Sequence, residues 1–501
     1  MDPALAPALR SALVAAGFTY DGVAGLLGPR AHDALARNET APGRTATAGG
    51  SPLETLVRLF LLQTTVPLAD AERALPGLVD RLAVAGLLER SVGEVAARLD
   101  CRPYAATGAD GADDDLWVVS DLTPGLDGGP QRVTSDHVLG ISPASTSLAQ
   151  LTIREPVCSA LDLGTGCGVQ ALHLARHAGR VVATDVNARA LAVTRFNAAL
   201  NEVDVDVRDG SFFEPVRGER FDLIATNPPF VISPATGERL VYRDSGLPGD
   251  QVVEHVVRTA PRHLAPGGWC QVLANWVIER DRPWDERLAG WLPDDHDALV
   301  VQREVLDPSA YVELWLKDSG RHGGPDYLDR YDTWLSWFDE QGIEAIGFGW
   351  INLHATSSPG RRELLEWPYD VEQPIAPAVR DWGTAVRAEA DVDDHLVARP
   401  DVVQETHGPV GAEHPETIVL RQQLGFRRAR TADTVEAALV GASDGDLSVG
   451  AILDALADLL ELDVDTTRDT YLPVVRELVA QGFLSQASSP ADEPTRRALL
   501  H

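Results

Sequence analysis

Apolar residues recur at helical spacing early in the chain, at Leu56, Leu59 and Phe60 and again at Leu75, Leu78, Val79 and Leu82. Residues 1 to 108 are predicted to be mainly helical, with the helices ending at Gly86-Leu87-Leu88. Val95–Tyr104 then predicts a strand and Leu116–Ser120 its return strand, with Asp113-Asp114-Asp115 at the tip between them. Helices followed by such a strand pair predict a winged-helix module, with a plain helical bundle as the alternative. Near the C-terminus Leu478–Leu484 repeats the pattern of Leu82–Leu88, as a remote repeat or as two amphipathic helices of similar composition.

The middle of the chain reads differently. Val157–Leu163, Val181–Asp185, Val203–Val207, Phe221–Thr226 and Trp269–Val277 are strand-like runs. Between them lie the helical patterns Val169–His177, Ala188–Asn201 and Gln251–Leu264. Strands alternating with helices predict an α/β fold, a doubly wound and mostly parallel sheet covered on both faces. Ala298–Val305 and Ala345–Leu353 are late strands, with the tryptophan-rich, acidic helix Tyr327–Gln341 between them. Residues 360–415 read as loops with short strands. The expected domains are 1–120, helical and winged-helix-like; 121–356, the α/β domain; and 357–501, an α+β accessory domain.

Length and charge narrow the function classes. At 501 residues the chain is too long for one core. A net charge of −32 repels polyanions at long range, so a nucleic-acid partner would need a local basic patch. The clearest basic cluster is Arg421, Arg427, Arg428 and Arg430, for which pairing with the many acids is the plainer reading. Cys101, Cys158, Cys167 and Cys270 form no C-x-x-C pair, and no metal site is expected. No signal peptide or bilayer-spanning run is evident, which predicts a cytoplasmic, membrane-free protein.

Three segments carry chemistry. Leu161-Asp162-Leu163-Gly164-Thr165-Gly166-Cys167-Gly168 follows a strand and opens a helix. Its glycines let backbone approach a ligand, and the helix start presents free N–H groups. Dinucleotide-binding folds use a similar turn, but Asp162 suits a cationic amino acid moiety better than a pyrophosphate. Asp185 ends the next strand, beside Asn187. A carboxylate there can accept both hydroxyls of a ribose, or cap the following helix. The most specific segment is Asn227-Pro228-Pro229-Phe230, at the end of Phe221–Thr226. Two prolines hold the turn rigid. The Asn227 side-chain oxygen and the Pro228 carbonyl can converge on one NH₂ group, with Phe230 as a stacking face for a planar amide or base.

These segments resemble the class I S-adenosylmethionine (SAM)-dependent methyltransferases bearing an Asn-Pro-Pro-aromatic motif. The nearest look-alikes are the release-factor glutamine methyltransferases and the "methyltransferase small domain" ribosomal RNA enzymes. The resemblance covers roughly Thr134 to Leu353 and implies a seven-stranded Rossmann-like sheet. It places SAM against Asp162, Gly164, Thr165, Gly166, Gly168, Asp185, Asn187 and Asn227. It makes Asn227, Pro228, Pro229 and Phe230 catalytic, and Val138–Thr146 the segment that helps close over the cofactor. One departure concerns adenine: where many members have an acid this chain has Ser211, with Asp209 two residues earlier, and either is a candidate contact. The outer domains do not match the substrate-binding domain of release-factor enzymes. A protein amide is the favoured substrate. The alternatives are an RNA or DNA exocyclic amine, a small-molecule amine, and a non-enzymatic interaction protein that keeps the fold.

Overall fold

In the computed structural model the apolar runs of the middle of the chain become one sheet. The strands are β1 (Ala160–Leu163), β2 (Val181–Asp185), β3 (Asp206–Asp209), β4 (Phe221–Thr226), β5 (Leu264–Glu279), β6 (His296–Leu306), β7 (Ile343–Ala355) and β8 (Arg362–Glu366). The structure describes residues 1–107, 113–129, 134, 136–234, 247–318, 324–357, 359–410 and 415–487. The chain divides into two compact units, Met1–Pro368 and Tyr369–His501.

The strand order is β8-β6-β7-β5-β4-β1-β2-β3. All neighbours run parallel except β7, which is antiparallel to both β5 and β6. The doubly wound sheet is therefore as expected, with eight strands where seven were predicted. The extra strand is β8, a charged edge element with exposed ends that pairs only with β6. The helices of this region are α1 (Pro143–Leu151), α2 (Val169–Leu174), α3 (Ala188–Leu200), α4 (Gln251–Thr259), α5 (Trp284–Ala289), α6 (Pro308–Asp318) and α7 (Tyr327–Glu340). Chain order reverses beside β1, between β4 and β2, and a ligand crevice forms at such a point, outside the carboxyl ends of the strands.

The N-terminal residues build helices, including Ala6–Ala15 and Tyr20–Ala36, and two small β elements. The single strand expected over Val95–Tyr104 divides at Arg98. Glu94–Ala97 joins a three-stranded sheet, while Leu99–Thr107 pairs antiparallel with Asp113–Asp121. Asp113, Asp114 and Asp115, expected at the tip, thus begin the return strand; residues 108–112 lie outside the described residues.

This N-terminal region shares a core with the sheet domain, because Phe196 and Leu200 of α3 pack among Phe18, Phe60 and Trp117. Polar contacts reinforce it. The Asn201 side chain accepts from the Trp117 amide and donates to the Trp117 carbonyl, both at 2.8 Å. Asn197 does the same for Val119, at 2.9 and 2.8 Å. Two amides one helical turn apart thus stand in for a neighbouring strand.

Among the described residues no single helix is long and apolar enough to cross a membrane; only the first two helical segments together, bent by 50°, match on length and composition.

Among the described residues the second unit has two three-stranded antiparallel sheets and four helices. Its helix Val464–Ala480 ends in the same way as Val79–Val84 of the first unit. In each, a left-handed glycine, Gly482 or Gly86, lets the next residue bond back to a leucine carbonyl, Phe483 to Leu478 and Leu87 to Leu82. That common cap accounts for the recurring sequence pattern. Of the basic cluster, Arg421 is paired with Glu405, and Arg430 with Glu436 and Glu477.

Candidate active site

A cleft of about 440 Å³ opens where the sheet order reverses. It is lined by Asp162 to Cys167, Thr184 to Asn187, Gly210 to Phe212 and Thr226 to Phe230, with His137 to Gly140, Ser142 and Ser145 on another side.

The first wall is the glycine turn. Gly164, Gly166 and Gly168 all have left-handed φ, at 77°, 57° and 83°, which a side chain would strain. A Cβ on Gly168 would also approach Thr194 of α3 to 2.9 Å. Gly168 therefore lets α2 and α3 pack closely, while Gly164, Thr165 and Gly166 face the cleft.

Asp162 is buried beneath the turn. Its Oδ2 accepts from the Thr165 hydroxyl at 2.6 Å and from the Ala171 amide of α2 at 3.0 Å. Burial outweighs these bonds and pushes its carboxyl up to about 7. An unfolded aspartate ionises near about 4. Between those values the folded chain holds the extra proton, so this group makes stability fall as pH rises. Thermal melts should show a smaller fall from about pH 4 to pH 7 for Asp162→Asn than for the parent chain. Parallel curves would refute a buried, reluctantly ionised Asp162.

Asp185 ends β2 and faces the cleft half-buried. Its Oδ2 accepts from the Gly166 amide at 3.0 Å and its Oδ1 from the Asn187 amide at 2.8 Å. Burial, the largest influence, raises its carboxyl above the usual range. The capping role weighed for Asp185 belongs to Asn187. The Asn187 side chain accepts from the Arg189 amide at 2.9 Å and donates to the Asp136 carbonyl at 3.0 Å. Asn187 lines the cleft, but its side chain is engaged in holding α3 and the segment before His137.

Of the two residues considered for adenine, Ser211 lines the cleft, whereas Asp209 is exposed at the end of β3. Beside Ser211, Phe212 has a left-handed φ of 47° and packs its ring 4.8 Å from His255. A turn that bends this sharply puts residues 210–212 in the cleft and leaves the acid outside.

Beside the glycine turn, at the end of the neighbouring strand β4, the cleft is lined by the Asn227–Phe230 turn. Asn227 Oδ1 is shielded from solvent and has no hydrogen-bond partner among the described residues. An unpaired buried acceptor costs about 1–3 kcal/mol, which a ligand that brings a donor would offset. Phe230 lines the same cleft and packs its ring 6.3 Å from Trp315.

Three features escaped the sequence. Gln170, the second residue of α2, lines the cleft; its Nε2 donates to the Ser145 carbonyl at 2.6 Å, and its buried Oε1 has no partner among the described residues. A polar residue in the apolar start Val169-Gln170-Ala171-Leu172 was the available signal. His137 lines the mouth beside Asp121, and burial lowers its imidazole. Asp121 exchanges backbone bonds with Val138, at 3.0 Å through its own amide and at 2.7 Å through its carboxylate, which also binds Arg189. Thus the end of the N-terminal hairpin fixes the segment expected to close over the cofactor.

Part of the chain is similar to known methyltransferases. Residues 140–283 match the methyltransferase small domain family, and residues 15–98 match a domain of unknown function (DUF7059). A release factor glutamine methyltransferase of Yersinia pestis is 41% identical over 160 residues, 29% of this chain and 58% of that protein. One from Xylella fastidiosa is 38% identical over 128 residues, 23% of this chain and 46% of that protein. A ribosomal RNA small subunit methyltransferase C of Alcanivorax borkumensis is 30% identical over 145 residues, 29% of this chain and 38% of that protein. The chain therefore spans about half the length of the curated relatives it matches. Among solved structures, a T. thermophilus 16S rRNA methyltransferase in complex with AdoMet and guanosine is 19% identical, with a TM-score of 0.26 over 45% of this chain and 58% of that one.

Proposed function

We propose that this chain is a SAM-dependent N-methyltransferase that acts on a planar side-chain amide of a protein, of the glutamine type. The observation that carries this reading is the unpaired, buried Oδ1 of Asn227, set in the same cleft as the glycine turn and Asp185.

The residues fit SAM. Asp185 offers a ribose its remaining acceptor positions, since each carboxylate oxygen has so far taken one backbone N–H. Asp162, held reluctant to ionise by burial, is a natural partner for an ammonium, whose charge would favour the carboxylate form. Gly210, Ser211 and Phe212 form the wall available to a base. When bound, SAM supplies an activated methyl group, so no covalent nucleophile is required of the protein.

The chain's own contribution is position. An amide nitrogen is a poor nucleophile because its lone pair is delocalised into the carbonyl. Acceptors at Asn227 and Pro228 would hold the NH₂ group and favour the build-up of positive charge on nitrogen as the new bond forms. Phe230 would stack on the planar group.

The protein substrate is favoured on two grounds. The stronger matches are to proteins named release factor glutamine methyltransferases. Moreover, two of the four arginines of the basic cluster, Arg421 and Arg430, are ion-paired with glutamates, which reduces what that cluster offers a phosphate. Replacing two other arginines of the cluster, Arg427 and Arg428, with alanine should leave transfer rates and their salt dependence nearly unchanged. A substrate RNA held there would instead give a steep salt slope that flattens in the variant.

Incubation with methyl-labelled SAM and cell extract tests the reading directly. Label removed by protease and resistant to RNase is expected. RNase-sensitive label would overturn the protein substrate in favour of an RNA amine, and absence of transfer with absence of SAM binding would leave an interaction protein.

A further inference from the structure

β6 and β7 are antiparallel neighbours, and Leu306 at the end of one pairs with Ile346 near the start of the other. A tight hairpin would suffice to join them. The chain instead places α6 and α7 between them, within residues 307–342.

The apolar side of this insertion does not pack on itself alone. Tyr311, Trp315, Trp334 and Phe338 form one core with Val231 and Ile232, the two residues that follow Phe230. The polar atoms of that core converge on Ile232. Its amide donates to Tyr311 Oη at 2.8 Å, and its carbonyl accepts from Trp334 Nε1 at 3.0 Å. Tyr311 Oη also accepts from Asn275 Nδ2 of β5 at 3.2 Å. Tyr311 and Ile232 are 0% exposed and Trp334 is 2% exposed, so water does not substitute for these partners.

A chain segment leaving a strand normally finds its backbone partners in solvent or in adjacent backbone. Here both backbone groups of the residue just beyond the Asn227–Phe230 turn are held by side chains of one inserted element. Trp315 of the same element also packs against Phe230. We propose that the α6–α7 insertion is the device that sets the position of the turn, with Tyr311 and Trp334 as positioning residues that act through Ile232. This rests on the methyltransferase reading and goes beyond it, since it assigns a role to an element outside the residues matched to the methyltransferase small domain.

The position of the turn should govern the rate much more than cofactor binding, because Asp162, Asp185 and the glycine turn stand on β1 and β2, away from the insertion. Displacing a reacting group by about 1 Å can cost about 10²-fold in rate.

The test compares Tyr311→Phe and Trp334→Phe with the parent chain. The first removes one oxygen, the second one donor, and both keep a ring in the core. Initial rates are measured with methyl-labelled SAM and cell extract, together with calorimetric titration of S-adenosylhomocysteine and thermal melts. The expected result is a kcat at least about tenfold lower, with KM for SAM and affinity for S-adenosylhomocysteine within about twofold of the parent. Parent-like kcat in either folded variant would overturn the proposal. So would loss of S-adenosylhomocysteine affinity in parallel with rate, which marks general loosening of the fold. A variant that melts below the assay temperature is read at a lower one by the same criteria. Failure of the parent chain itself to bind S-adenosylhomocysteine would instead remove the methyltransferase reading, and with it this one.

Discussion

Asn227→Ala should bind SAM with near-normal affinity and transfer methyl groups at least about 100-fold more slowly. The separation follows from where the side chain stands. Asn227 follows β4, whose last residue Thr226 pairs with Leu163 just before the glycine turn, and its Oδ1 has no hydrogen-bond partner among the described residues. Its removal takes nothing from Asp185 or Gly166. It takes away an acceptor whose bond to the target NH₂ would strengthen as charge develops on nitrogen. Loss of about 10²-fold corresponds to about 2.7 kcal/mol of transition-state stabilisation, the size expected of one well-placed polar partner. Steady-state rates with labelled SAM, beside a calorimetric titration, separate the two quantities. Parent-like turnover would remove the turn from the chemistry. Equal losses in affinity and rate would place Asn227 in cofactor binding instead.

Asp185→Ala should do the reverse, weakening SAM and S-adenosylhomocysteine by at least about tenfold while the chain stays folded. Two effects add. The carboxylate that would accept ribose hydroxyls is gone, and hydrogen bonds to charged groups contribute about 1.5–3 kcal/mol each. The amides of Gly166 and Asn187 also lose their acceptor, so the turn and the start of α3 loosen at the cleft. Asp185→Asn keeps one acceptor and should lie between the two. Unchanged affinity in the alanine variant would exclude Asp185 from the site.

Much of this site is legible in the sequence because its parts are local. A buried parallel strand reads as an apolar run, as at Val181–Asp185 and Phe221–Thr226, and a sharp turn at its end demands glycine or proline. Asp162, Asp185 and Asn227 were found from their places relative to those signals. What the sequence hides is long-range. β8 is a charged edge strand, and its burial pattern comes only from lying beside β6. The choice between Asp209 and Ser211 depends on the left-handed bend at Phe212, which a non-glycine residue does not announce. The tryptophans of α7 were visible as a composition, but their partner Ile232 lies 102 residues earlier than Trp334. α4 also stops sooner than its pattern suggests, at Thr259, where Pro261 converts its end into a tighter turn.

The pairing of Asn197 and Asn201 with Val119 and Trp117 bears on where this chain can be divided. A catalytic domain joined to its neighbour by a flexible linker can be exchanged, lost or duplicated without injury. Here the same helix that covers the sheet completes the hydrogen bonding of the hairpin. Without the region before residue 121, the apolar face of α3 at Phe196 and Leu200 would meet water. The N-terminal region and the sheet therefore share one core across this seam. Asn197→Ala or Asn201→Ala in the full chain should lower the melting temperature, because buried backbone groups of Val119 or Trp117 lose their partner.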